Sequence, residues 1–60
     1  METTYLVYHL SFFNPRTGKE LVLSVPFEDS DTNNSLDNAL SWGENLTRYM
    51  DGFVFEGASS

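Results

Sequence analysis

Ser35–Met50, SLDNALSWGENLTRYM, is the stretch whose reading decides the fold. With Leu36 as origin and about 100° per residue, Leu36, Ala39, Leu40, Gly43, Thr47 and Met50 fall on one face. Asp37, Ser41, Glu44, Asn45, Arg48 and Asp51 fall on the other. That spacing predicts an amphipathic helix over 35–50. Asn34 or Ser35 can cap its start, because a short side-chain oxygen accepts from the free amides of the first turn. Asp37 then stands near the positive end of the helix dipole. Glu44 precedes Arg48 by four residues, the favoured order for an exposed ion pair, which contributes only about 0.3–0.5 kcal/mol. The helix is expected to stop at Asp51-Gly52, where glycine accepts a left-handed conformation. Trp42, Leu46 and Tyr49 widen the apolar arc. They either cover the edge of a sheet or, in Trp42 and Tyr49, offer anchors to a partner. Gly43 on the buried face costs about 1 kcal/mol of helix propensity relative to Ala, so it points to a close approach of helix and sheet.

Upstream the period changes from helical to alternating. Residues 3–13 read as a strand with Leu6, Tyr8, Leu10 and Phe12 on a core face. Tyr5, Val7, His9, Ser11 and Phe13 lie on the outer face. Asn14-Pro15-Arg16-Thr17-Gly18 is a turn: Asn suits its first position, Pro sets φ for the second, and Gly accepts positive φ on re-entry. Residues 19–27 form the second strand, with Leu21, Leu23, Val25 and Phe27 toward the core. Pairing Asn14 with Lys19 sets Phe12 against Leu21, Leu10 against Leu23, Tyr8 against Val25 and Leu6 against Phe27. A slip of one residue would pair core with surface throughout, so parity selects this register. Pro26 cannot donate to a ladder, which puts the second strand at a sheet edge.

Glu28–Asn34, EDSDTNN, is a polar loop leading into the helix. It lacks the Gly and the closing Glu of a calcium-binding helix–loop–helix, so capping and solubility are its expected roles. After Gly52, Phe53–Glu56 is a short strand, and Gly57–Ser60 is expected to fray. The predicted architecture is a single α+β domain over 1–60. Its β-β-α-β chain makes a three-stranded antiparallel sheet of order 2-1-3 with one helix on one face.

The chain has 60 residues and no cysteine, which leaves one small core with no disulfides and no thiolate metal site. No apolar run approaches the roughly 18 residues of a membrane span. Met1-Glu2-Thr3-Thr4 lacks a basic leader region, so no signal peptide is expected. The net charge is −6, from nine acids and three bases. That argues against direct nucleic-acid binding, which needs Lys and Arg on phosphates. An acidic surface suits solubility, and it also suits docking onto a basic groove. His9 is the single histidine, and the carboxylates that could serve acid/base work sit in a loop and on a polar helix face with no sign of a cleft, so no catalytic residue, metal site or cofactor is expected.

Val25-Pro26-Phe27, the polar loop, Leu36-Asp37-Asn38-Ala39-Leu40 and Gly52-Phe53 before a last strand are together similar to the small T7-type phage inhibitors of bacterial RNA polymerase. The similarity spans roughly residues 19–57, and loop and helix lengths depart from it. It implies a class, small phage or mobile-element proteins that bind and block one host protein, and small anti-CRISPR proteins and phage antitoxins look alike at this level. The expected function is therefore an acidic inhibitor acting in the host bacterial cytoplasm. It would occlude the basic surface of a host nucleic-acid-handling protein. Glu28, Asp29, Asp31, Asp37 and Glu44 would supply the field, with Trp42 and Tyr49 as anchors. The alternative is an assembly module, a homodimer formed through Tyr5, Val7 and Phe13.

Overall fold

The computed structural model describes residues 4–60. Two long strands, β1 (Thr4–Asn14) and β2 (Lys19–Asp29), precede a helix, α1 (Ser35–Leu46), a 3₁₀ turn at Thr47–Tyr49, and β3 (Val54–Ser59). Thr3, where the first strand was expected to begin, lies outside the described residues. The sheet order is β2-β1-β3 with both pairings antiparallel. This is the β-β-α-β architecture that the alternating and helical periods predict.

The register is the one that parity selects. Asn14 pairs with Lys19, Phe12 with Leu21, Leu10 with Leu23, Tyr8 with Val25 and Leu6 with Phe27. The turn closes through Gly18 N–H donating to the Asn14 carbonyl at 2.7 Å, with Gly18 at φ 76°. Asn14 itself is buried. Its Oδ1 accepts from the Arg16 and Thr17 amides at 3.0 and 3.3 Å, which fixes the start of the turn.

The core lies between one sheet face and α1. Tyr8, Leu10, Phe12 and Ala39 are buried, with Leu23, Val25, Phe27, Leu46, Met50, Phe53, Phe55 and Ala58 packed around them. Burying a side chain such as Leu10 or Phe12 stabilises the fold by about 1.5–3 kcal/mol. The ring of Phe55 lies tilted against Phe12, with centroids 5.3 Å apart. A Cβ on Gly43 would stand 2.5 Å from the Phe55 ring, so helix and sheet approach as closely as glycine permits.

Four expectations need correction. The α-helix ends at Leu46, not Met50, because the Thr47 hydroxyl donates to the Glu44 carbonyl at 2.6 Å and the chain tightens into a 3₁₀ turn. Arg48 therefore leaves the helical surface, and no ion pair joins it to Glu44. The bridge present among the described residues is Arg16–Asp51, exposed and 3.8 Å long. The last strand is not confined to 53–56 with a frayed tail. Gly57, Ala58 and Ser59 pair with Ser11, Leu10 and His9, after a bulge that inserts Glu56 opposite the Ser11–Phe12 step. Finally, Leu36 and Leu40 are not buried: they are 43% and 37% exposed, while Ser35 beneath them is sealed. Gly52 does take the left-handed conformation, φ 80°, but in a separate turn closed by Phe53 N–H donating to the Met50 carbonyl.

Candidate protein-docking surface

The acidic residues named from the sequence divide into two groups. Asp29 ends β2, Asp31 lies in the following loop, and Asp37 is in the first turn of α1. With Glu28 they gather at one end of a molecule 46 Å long. Asn34 caps α1 there, its Oδ1 accepting from the Leu36 and Asp37 amides at 3.1 and 3.2 Å. Ser30 and Asn33 brace the loop, the Ser30 amide donating to the Asn33 carbonyl at 3.0 Å. The bases lie at the other end. Arg16 and Lys19 flank the β1–β2 turn, and Arg48 is in the 3₁₀ turn that leads to the Gly52–Asn14 contact beside that same turn.

Asp29 has a structural task that the sequence did not reveal. Its Oδ1 accepts from the Ser35 amide at 3.3 Å and from Ser35 Oγ at 2.9 Å, tying the end of β2 to the start of α1. Glu28, Asp31 and Asp37 are exposed and form no ion pair among the described residues. Glu44 is exposed on the outer side of α1, away from this group.

The two aromatic candidates also separate. Trp42 packs edge-on against Phe27, centroids 6.0 Å apart, and Phe27 in turn meets Tyr8. It covers the β2 side of the core while leaving part of its ring exposed. Tyr49 is 85% exposed and stands near the basic end. The structure therefore groups Glu28, Asp31 and Asp37, places Trp42 along the helix from them, and leaves Glu44 and Tyr49 apart.

The sheet face opposite α1 has no covering layer among the described residues. Tyr5, Val7, Val22 and Val54 are exposed on it, and Phe13 is half-buried. Glu20, Glu28 and Glu56 stand at its rim. His9 accepts or donates a 2.8 Å hydrogen bond with Ser24 across the β1–β2 pair, which holds its ring on the sheet. At the bulge, Ser11, Glu56, Gly57, Ala58 and Ser59 outline a solvent-open hollow of about 360 Å³ with Glu56 as its one carboxylate. Among the described residues, no three His, Asp or Glu side chains gather as a metal site would require, and no helix is long and apolar enough to cross a membrane.

Sequence reasoning missed the outward flank of α1, Leu36 and Leu40. No protein-family model matches the chain, and comparison with characterised proteins and with solved structures returns no match.

Proposed function

We propose that this protein is a non-catalytic binding module that engages a partner protein through a basic surface of that partner, with occlusion as the mechanism. The observation that carries this reading is the separation of charge along the long axis. Exposed Glu28, Asp31 and Asp37 sit together at one end with no base among them, whereas at the other end Arg16, Lys19 and Arg48 are offset by Glu20 and by Asp51, which bridges Arg16. Opposite charges steer encounter and fix orientation, so a dipolar shape of this kind meets a basic groove acidic end first. A host nucleic-acid-handling enzyme, with phosphate-binding Lys and Arg, is the partner class that fits, and a phage or mobile element is the setting that the family similarity suggests. Trp42 contributes an aromatic edge beside the acidic group, and Tyr49 a fully projecting ring farther along.

The test is capture of a stoichiometric partner from bacterial lysate at low and high salt. Wild type is compared with the triple reversal Glu28→Lys, Asp31→Lys and Asp37→Lys. Asp29 is left intact because it holds Ser35. Binding is expected to weaken by at least about tenfold from low to high salt, and to vanish in the reversed protein. Unchanged capture by the reversed protein would sink the proposal.

One observation favours a second reading, self-assembly. The exposed Tyr5, Val7, Val22 and Val54 form an apolar face of the kind that marks association. Sedimentation decides this: a monomer persisting at high concentration counts against assembly.

A further inference from the structure

We propose that the sheet face opposite α1 is the docking surface for the partner protein, and that its occupant is a patch with an apolar centre and Lys or Arg at its margin. The inference names the contact surface of the acidic binding module and rests on that reading.

The face is assigned by parity. Tyr8, Leu10 and Phe12 are buried on the α1 side, so Tyr5, Val7 and Phe13 point the other way. Residues paired directly across β1 and β2 share a face, which adds Pro26 opposite Val7 and Val22 opposite Ser11. Val54, opposite Phe13, extends the patch to β3. Tyr5, Val7, Val22 and Val54 are each about half exposed or more.

The middle of the face is polar but satisfied from within. His9 and Ser24 are direct partners, and the His9 Nδ1 and Ser24 Oγ atoms bond to each other at 2.8 Å. A partner can cover the centre without stranding either atom.

Charge selects the occupant. Glu28 is the direct partner of Tyr5, and Glu20 of Phe13, so both carboxylates stand on this face, one near each end of β2. Their positions in β2 separate them by about 27 Å of strand. On the β3 side, Glu56 lines the hollow at the bulge together with Ser11 and its partner Gly57. No base shares the face. Lys19 has the opposite parity, as the partner of buried Asn14. Arg16 is in the turn, bridged to Asp51, and Arg48 follows directly on α1. An apolar centre with carboxylates at its margins is complementary to an apolar centre bordered by cations.

The same features disfavour a second copy. Two such faces stacked about a two-fold axis would bring carboxylates from both copies together with no base to pair them. Area counts against it as well. Strands of 11, 11 and 6 residues span roughly 450 Å² at about 3.4 Å per residue and 4.8 Å per strand, against ~800 Å² per copy in a standard interface. A larger partner surface extends the contact at the acidic end, where Glu28 stands on the face and Asp31 follows in the loop.

The probe is a capped amphipathic peptide of Leu and Lys, compared with the same peptide carrying Gln or Glu in place of Lys, and amide NMR reads its site. At low salt the Lys peptide is expected to shift the amides of Tyr5, Val7, Val22 and Val54 and to leave Leu36 and Leu40, on α1, unmoved. The Gln and Glu peptides should bind at least about fivefold more weakly, a difference that high salt should shrink. Val7→Thr/Val22→Thr keeps β-branched residues at exposed strand positions, so its circular dichroism should match wild type while affinity for the Lys peptide falls about fivefold or more. Glu20→Gln/Glu28→Gln/Glu56→Gln should bind the Lys and Gln peptides alike. Shifts confined to the loop and the first turn of α1, around Asp31 and Asp37, would overturn the docking face and leave the acidic-end reading standing. Shifts centred on Leu36 and Leu40 would likewise overturn it. Equal binding of the three peptides would refute the basic occupant. Shifts of the face amides with protein concentration alone would assign the face to a second copy and overturn the proposal. No binding of the Lys peptide anywhere would count against both this face and the reading on which it rests.

Discussion

The hydroxyl of Tyr8 lies 2.8 Å from Oγ of Ser35, across the core from strand to helix. Ser35 Oγ donates its single proton to Asp29 at 2.9 Å, so it accepts from Tyr8, and the relay runs Tyr8 to Ser35 to Asp29. Ser35 is sealed from solvent while Asp29 is half-exposed. Ser35→Ala therefore strands the Tyr8 hydroxyl in the core and is expected to cost about 1–3 kcal/mol, whereas Tyr8→Phe removes only the donor and costs about 1 kcal/mol. Urea unfolding of both variants measures the order. A larger loss for Tyr8→Phe would contradict this assignment of donors.

Gly43 should behave against helix propensity. Glycine to alanine inside a helix usually stabilises by about 1 kcal/mol. Here the new methyl would meet three Phe55 ring carbons at 2.5–2.8 Å. Gly43→Ala is expected to destabilise by about 1–3 kcal/mol through overpacking. Trimming the ring in Gly43→Ala/Phe55→Leu should recover part of that loss beyond additivity, which a double-mutant cycle reads directly.

The side chain of Asn14 joins two turns at one end of the sheet, the β1–β2 turn and the turn at Gly52. Asn14 Oδ1 accepts two turn amides, and its carboxamide lies 3.0 Å from where a Gly52 Cβ would stand. Asn14→Ala is expected to cost about 1–3 kcal/mol by removing the acceptor of two part-buried turn amides, at about 0.5–1.5 kcal/mol per hydrogen bond. Gly52→Ala is expected to cost about 1–2 kcal/mol because its φ is left-handed. Thermal melts of the two variants test these values. An unchanged midpoint for Asn14→Ala would show that water replaces its carboxamide.

Trp42 and Tyr49 should separate stability from binding. Trp42→Ala removes the packing on Phe27 and should lower stability by about 1–3 kcal/mol. Tyr49→Ala, at a projecting ring, should leave stability within about 0.5 kcal/mol. If Tyr49 is an anchor, its loss should still weaken partner capture at least about tenfold. Unchanged capture would remove Tyr49 from the binding surface.

Most of the fold was legible because its signals are local and mutually consistent. Alternation in 4–14 and 19–29 admits one register, Gly18 and Pro26 mark a turn and an edge, and Asn34 is a good cap. The acidic group was legible only as composition. Its division into exposed Glu28, Asp31 and Asp37 and a tied Asp29 depends on Ser35 reaching back to β2, a contact between residues six apart that no period encodes.

The sequence by itself determined the strands, their pairing, the helix and its buried stripe at Ala39 and Gly43, because side-chain period and turn chemistry act over a few residues. Tertiary structure alone decided where elements stop and what stays uncovered. Gly57–Ser59 are poor strand formers that become strand because β1 presents an unpaired edge to them. Leu36 and Leu40 are good core residues that stay partly exposed because their flank of α1 has no described strand packed beneath it. Burial requires a neighbour, and which neighbour a side chain meets is settled by pairing between residues distant in sequence.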